Sequence, residues 1–121
     1  METRTINVNG KDYTFINAYR KNRSGFCHDC ELHIGAQRFD AHAQYYNRTW
    51  ECYTYQSVMV ESLYNYRKYV ESALKEKFLN EKGKSRMSPA LKAEFETICN
   101  NNQQLKDIVD VRKELEHATW F

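Results

Sequence analysis

No apolar run in this chain approaches the roughly 20 residues that a helix needs to cross a bilayer. The segment Met1-Glu2-Thr3-Arg4-Thr5-Ile6 also lacks the apolar stretch of a signal peptide. Charge of one sign is equally scarce. Eighteen Lys and Arg stand against sixteen Asp and Glu, a net charge of +2. A polyanionic mimic of DNA is thereby excluded, and so is a densely cationic DNA-binding protein, which neutralises phosphates with clustered Lys and Arg. The densest basic stretch is only Lys82-Gly83-Lys84-Ser85-Arg86. There is no phosphate-binding glycine loop, no HExxH and no GxSxG. Internal repeats and low-complexity segments are missing too. These gaps leave a small intracellular domain without a recognisable active site, and the expectation is that it is not an enzyme.

What is present is aromatic and patterned. The chain has 121 residues, 41% hydrophobic and 14% aromatic, enough to build one domain with a real core. Nine tyrosines carry much of that load. Tyrosine buries its ring and keeps its hydroxyl wet, which suits both interfaces and the closing of a small core.

The clearest local signal is Asn9-Gly10, flanked by the β-rich runs Thr5-Ile6-Asn7-Val8 and Asp12-Tyr13-Thr14-Phe15-Ile16. Asn-Gly supplies the two positive-φ positions of a type I′ hairpin turn. Residues 17–24 are polar and basic and read as a loop or a fraying edge. A second hairpin follows, Phe26 to Ile34 and Gln37 to Tyr46, turning at Gly35-Ala36. In that register Leu32 faces Phe39, Cys30 faces Ala41 and His28 faces Ala43. One face is then His28, Cys30, Leu32, Ile34, Phe39, Ala41, Ala43 and Tyr45, which should meet helices. The other face, from Cys27 and Asp29 to Arg38 and His42, is polar.

After Thr49 the period changes. Tyr55, Val58, Met59, Leu63, Tyr66, Val70, Ala73, Leu74 and Phe78 recur at helical spacing, with Asn47 or Thr49 as the cap. Ser88-Pro89 restarts a helix whose stripe is Leu91, Phe95, Ile98 and Cys99. Asn100-Asn101-Asn102 breaks it. A last helix carries Leu105, Ile108, Val109, Arg112 and Leu115. The expected fold is therefore α+β: a four-stranded antiparallel sheet of two hairpins (1–46), one long amphipathic helix (47–80) and two shorter helices (88–121) in a single domain.

Four cysteines, Cys27, Cys30, Cys52 and Cys99, are expected to be reduced thiols or metal ligands in a chain without an export signal. Cys27-His28-Asp29-Cys30, with His42 and Cys52 downstream, has the donor types that zinc prefers. The candidate ligands are Cys27, Cys30, His42 and Cys52, with Asp29 as the alternative. The hairpin register puts Cys27 and Cys30 on opposite faces, so one ion shared between them needs a bulge. Without a bulge, Cys27, Asp29 and His42 lie together outside, and Cys52 could approach to make four. Four protein ligands favour a structural zinc. The plain alternative leaves Cys30 in the core, Cys27 as an exposed thiol and His42 in solvent. His28 reads as a neutral core histidine, and His33 and His117 as surface residues. A thiol enzyme using Cys27 or Cys52 lacks an orienting group and an oxyanion site.

The string Tyr45-Tyr46-Asn47-Arg48-Thr49-Trp50-Glu51, followed by Tyr53-Thr54-Tyr55-Gln56-Ser57-Val58-Met59, carries a resemblance. It resembles small proteins encoded by phages, prophages and plasmids of Gram-positive hosts, in which an NRTWE…YQSV segment joins the last strand to the main helix. Gly25 to Leu32 is similar to their G-aromatic-x-H-x-x-x-L strand, and the Asn9-Gly10 hairpin matches as well. The likeness covers about the first 80 residues. The paired cysteines of the strand are not part of that pattern.

The resemblance implies an interaction protein of a mobile element acting in the host bacterial cytoplasm. Some such proteins are anti-CRISPR inhibitors of type II RNA-guided nucleases. The nuclease holds guide and target in a positively charged channel, and a chain of net charge +2 is a poor mimic of what fills it. An inhibitor of this charge is expected to bind a less basic surface, such as the helical recognition lobe, and to hinder target-DNA loading. The other reading is a nucleic-acid-binding accessory protein of phage or plasmid replication, with Arg20, Lys21, Arg23, Lys82, Lys84 and Arg86 on the phosphate path. No membrane partner is expected. The sequence leaves the oligomeric state open.

Overall fold

The computed structural model describes residues 2–22, 25–45 and 55–116, with side chains described over 2–18, 29–42 and 58–116. Four strands, β1 (Glu2–Val8), β2 (Lys11–Asn22), β3 (Gly25–Ile34) and β4 (Gln37–Tyr45), form one antiparallel sheet in the order β1-β2-β3-β4. Three helices follow, α1 (Tyr55–Lys82), α2 (Pro89–Asn101) and α3 (Gln103–Glu116). The α+β class and the order of elements are those expected. No helix among the described residues is long and apolar enough to cross a membrane.

Both tight turns follow from their residues. Asn9 and Gly10 have φ of 52° and 79°, as a type I′ turn requires, and Val8 pairs with Lys11. At the second turn Gly35 alone has positive φ (58°), the signature of type II′, and Ile34 pairs with Gln37. The whole β3–β4 register then falls as the alternation demands, with Leu32 on Phe39, Cys30 on Ala41 and His28 on Ala43.

One segment differs from expectation. Residues 17–22 are not a loop; they continue β2, paired with β3 from Asn17↔Cys30 to Asn22↔Gly25. Their side chains are too polar to advertise a strand. The partner backbone of β3 supplies the hydrogen bonds regardless, and strand propensity yields to that context.

Sheet and helices share one core. Tyr13, Phe15, Leu32, Val58, Met59, Val111 and Leu115 have no exposed surface, and Ile6, Cys30, Leu63, Tyr66, Val70, Leu105 and Ile108 close around them. In α1 the buried apolar positions Val58, Met59, Leu63, Tyr66, Val70 and Phe78 belong to the expected stripe; Leu74 is half-buried, Ala73 lies in solvent and the Tyr55 side chain is outside what is described. The proposed caps Asn47 and Thr49 lie outside the described residues.

The far end of α1 stops at a Schellman motif two residues beyond the expected end. Gly83 (φ 62°) donates its N–H to the Asn80 carbonyl at 3.1 Å, and Lys84 donates to Leu79 at 3.0 Å. Ser88 caps α2 by accepting from the Leu91 N–H at 3.2 Å, with Pro89 in the first turn. Asn102 caps α3 by accepting from Leu105 at 3.1 Å.

Two helical stripes are corrected. In α2 nothing is buried: Leu91, Phe95 and Cys99 are half-buried and Ile98 is exposed. In α3 the core face is Leu105, Ile108, Val111 and Leu115, while Val109 and Arg112 face solvent. Arg112 pairs at 3.2 Å with Glu116 one turn on. Val109 sits about 100° around the helix from Ile108, outside the arc that meets the sheet.

Candidate functional site

The residues singled out as metal ligands divide between the two faces of the sheet. β3 pairs without a break with β2 and with β4, so no bulge re-aims either cysteine. Cys30 points inward and is 1% exposed. Its Sγ lies 3.4 Å from Ser62 Oγ, which itself donates to the Met59 carbonyl at 2.8 Å. Burial pushes the Cys30 thiol up to about 11, against a smaller downward pull from the Ser62 hydrogen bond. A thiol held neutral in the core is not poised to ligate a cation with groups across the sheet.

Asp29 and His42 are brought together. They are directly opposed in the β3–β4 ladder on the outer face, and Asp29 Oδ1 meets His42 Nδ1. Cys27 holds the next outer-face position of β3, paired with Gln44; its side chain, like the whole of Cys52, lies outside what is described. Among the described residues no group of three or more His, Cys, Asp or Glu could hold a metal ion.

The same face carries a strip of compensated charge. Arg38 reaches Glu31 at 3.3 Å and Asp40 at 3.2 Å, and His33 Nε2 lies 3.5 Å from Glu31. Arg38, Glu31 and Asp40 are substantially exposed, while the His33 ring is partly exposed with its Nε2 covered, so the strip contributes little to stability and keeps this face wet.

The helical layer presents a different surface. Tyr64 (49%), Tyr69 (51%), Val109 (43%) and Ile98 (41%) are the large apolar side chains that remain exposed among the described residues. Tyr64 and Val109 flank a shallow groove between α1 and α3, floored by Val60 and Ile108 and flanked by Arg67 and Arg112. Lys68 Nζ stands 5.0 Å from the centre of the Tyr64 ring. Tyr69 accepts a hydrogen bond from Gln37 Nε2 at 3.1 Å and leans on Phe39, ring centres 5.4 Å apart, which fixes its position. Ordered aromatics beside arginines are the composition of protein interface cores.

A buried polar cluster at the turn end of the sheet was not foreseen. Asp107 of α3, 7% exposed, accepts from Asn9 Nδ2 at 2.6 Å and from Gln103 Nε2 at 2.7 Å. It thereby ties the first hairpin turn to the last helix across 98 residues of chain. Beside it Lys11 Nζ donates to Tyr66 Oη at 3.1 Å. The Tyr13 hydroxyl is buried and pushed up to about 12, first by desolvation, then by Tyr66 and Asp107. The one sequence signal was Asp107 itself, a charge beside the core position Ile108. The cluster ties elements together and shows no nucleophile–base pair.

Comparison with protein-family models, with curated proteins and with solved structures finds no match for this chain.

Proposed function

We propose that this chain acts by binding another protein, and that the partner is the RNA-guided nuclease of a type II bacterial defence system. The observation that carries the binding reading is the α1–α3 surface, where Tyr64 and Val109 stay exposed between Arg67 and Arg112. The choice of partner comes from the NRTWE…YQSV resemblance. A net charge of +2 argues against occupying the cationic channel and for a contact on a less basic lobe that hinders DNA loading.

The nucleic-acid reading is less well supported. Arg20 and Lys21 stand at the end of β2 remote from the Asn9-Gly10 turn, whereas α1 meets that turn end at Lys11–Tyr66 before running on to Lys82. From Lys11 to Arg20 is about 30 Å of strand, so the two basic groups do not make one continuous phosphate path. Lys82 is also engaged with Glu94 at 3.5 Å.

The test is a target-DNA cleavage assay with guide-loaded type II nucleases, adding the chain before or after the target. Protection is expected only when it is added first. The double variant Tyr64→Ala/Val109→Glu should weaken protection at least about tenfold, the size of an interface hot spot, with unchanged circular dichroism. If no nuclease is protected in either order, the partner assignment fails. Protection that survives the double variant removes the α1–α3 surface from the account.

Zinc enters this reading as a structural ion, proposed on the outer-face set Cys27, Asp29 and His42 with Cys52, and without Cys30. Metal analysis of the purified chain should find stoichiometric zinc that persists in Cys30→Ala and is lost in His42→Ala. A metal-free wild-type chain, or zinc lost with Cys30, overturns it.

A further inference from the structure

Asn9-Gly10 is the one Asn-Gly pair in the sequence, and Asn-Gly is the pair most prone to lose a side-chain amide. Glycine has no Cβ to hinder the approach of its backbone nitrogen to the amide carbon beside it. In that reaction the Gly10 nitrogen bonds to Cγ of Asn9, the Cγ–Nδ2 bond breaks, and the proton leaves with Nδ2 as ammonia. Water then opens the five-membered imide. Opening at Cγ gives aspartate. Opening at the main-chain carbonyl gives isoaspartate, with the chain rerouted through the side chain. A water is consumed, an ammonia is released, and no oxidant or reductant takes part.

In the folded chain both reacting groups are held. Asn9, at φ 52°, is the only non-glycine residue with positive φ among those described. The Gly10 N–H donates to Asn7 Oδ1 at 3.3 Å, and Asn7 is anchored in turn to Asp12 at 2.8 Å. The Asn9 amide, the leaving group, donates to Asp107 Oδ1 of α3 at 2.6 Å. Closing the imide requires the peptide after Asn9 to turn and the side chain to swing onto it. The two hydrogen bonds resist both motions. Asn9 itself is exposed to water, so opening of the turn is the step that sets the rate.

We infer that Asn9 is a latent deamidation site guarded by Asp107, and that the reaction, once it occurs, permanently cuts the tie between the first hairpin turn and α3. The new carboxylate has no N–H to offer Asp107. It also sets a like charge against a carboxylate that is only 7% exposed, where the two repel. Lys11, the cation of this cluster, is engaged with the Tyr66 hydroxyl at 3.1 Å. Isoaspartate goes further, since its extra main-chain methylene destroys the two-residue loop that pairs Val8 with Lys11. The guard and the damage therefore share one contact: while Asp107 holds the amide the turn is safe, and after the amide is lost Asp107 drives the turn away. The device involves neither the α1–α3 groove nor any partner, so it stands or falls apart from the binding reading.

Ageing the full chain in mildly basic buffer, followed by peptide mapping, tests the guard. Asn9 should convert slowly in the wild type and at least about tenfold faster in Asp107→Ala, the change in open-turn population expected on loss of a charge-assisted hydrogen bond. Circular dichroism of both chains separates opening of the turn from global unfolding. A second arm uses the product directly and decides the matter if Asp107→Ala does not fold. Asn9→Asp keeps an Asp-Gly pair, which type I′ turns also favour, so any loss isolates the encounter with Asp107. Its melting temperature should fall by roughly 5–10 °C. The double variant Asn9→Asp/Asp107→Asn restores donor and acceptor with their places exchanged, and should recover most of that fall. Equal conversion in wild type and a folded Asp107→Ala, an Asn9→Asp chain as stable as wild type, or a double variant that recovers nothing would each overturn the inference.

Discussion

Tyr66→Ala is expected to cost about 3–5 kcal/mol, the range for removing a buried aromatic, whereas Tyr66→Phe should cost only about 1 kcal/mol. Tyr66 is 1% exposed and stands where three parts of the fold meet. Its ring lies 5.0 Å from Phe39 of β4 and 6.2 Å, edge-on, from Tyr13 of β2. Its hydroxyl accepts from Lys11 at 3.1 Å, and the same ammonium sits 5.6 Å from the ring centre. Alanine removes the aromatic contacts and leaves a void under the turn end of the sheet. Phenylalanine keeps the packing and forfeits one hydrogen bond, whose donor can turn to water. Against a total stability of about 5–15 kcal/mol, the alanine variant loses a large share, and its melting temperature should fall by roughly 10–20 °C. Urea denaturation followed by circular dichroism separates the two variants, with the slope unchanged if both remain two-state. Equal losses for alanine and phenylalanine would assign Tyr66 a hydrogen-bonding role in place of a packing one.

How far the sequence could reach is instructive at particular residues. The sheet was legible because its signals are local and redundant. Asn9-Gly10 fixes one register, Gly35-Ala36 fixes the other, and alternation from His28 to Ala43 repeats the second. Helix ends were legible where a cap is written in the sequence, as at Ser88-Pro89; the expected break over Asn100-Asn101-Asn102 narrows to Asn102, because α2 runs on to Asn101. What stayed hidden depends on long-range partners. Residues 17–22 become strand because β3 lies beside them, and no property of Ala18 to Asn22 alone says so. The real inner face of α3 is set by the seam between β1 and α1, which favours Val111 over Val109.

The candidate sites divide in the same way. That Asp29 meets His42, and that Cys30 faces away from both, followed from counting residues back from the turn. That Asp107 would join Asn9 could not follow from any local pattern, since 98 residues separate them. That β1 stands at the end of the strand order was hidden for a further reason. An edge is a property of strand order, and strand order is fixed by which hairpins pair and which surfaces the helices cover.

Asn17→Val is expected to stabilise the chain by about 1–2 kcal/mol, the reverse of the usual outcome of a core substitution. Asn17 has no exposed surface, yet among the described residues neither its amide nitrogen nor its amide oxygen has a hydrogen-bond partner. It follows Tyr13 and Phe15 on the inner face of β2 and is paired with Cys30, whose thiol is already engaged with Ser62. Folding thus strips water from one amide donor pair and one acceptor without replacing what they lose. Removing both polar atoms with a side chain of similar size should recover that cost. Valine also suits the site, being β-branched in a strand that pairs on both sides, with Glu2 of β1 and Cys30 of β3. Asn17→Asp is the matched control: it keeps the shape and adds a buried charge, and it should destabilise by several kcal/mol at neutral pH, less as the pH falls and the carboxyl takes up a proton. Chemical denaturation of the three chains at pH 7 and pH 4 provides the comparison. A loss of stability in Asn17→Val would mean that the amide is satisfied, by an ordered water or by chain outside the described residues, and that β2 is held there by a specific polar contact.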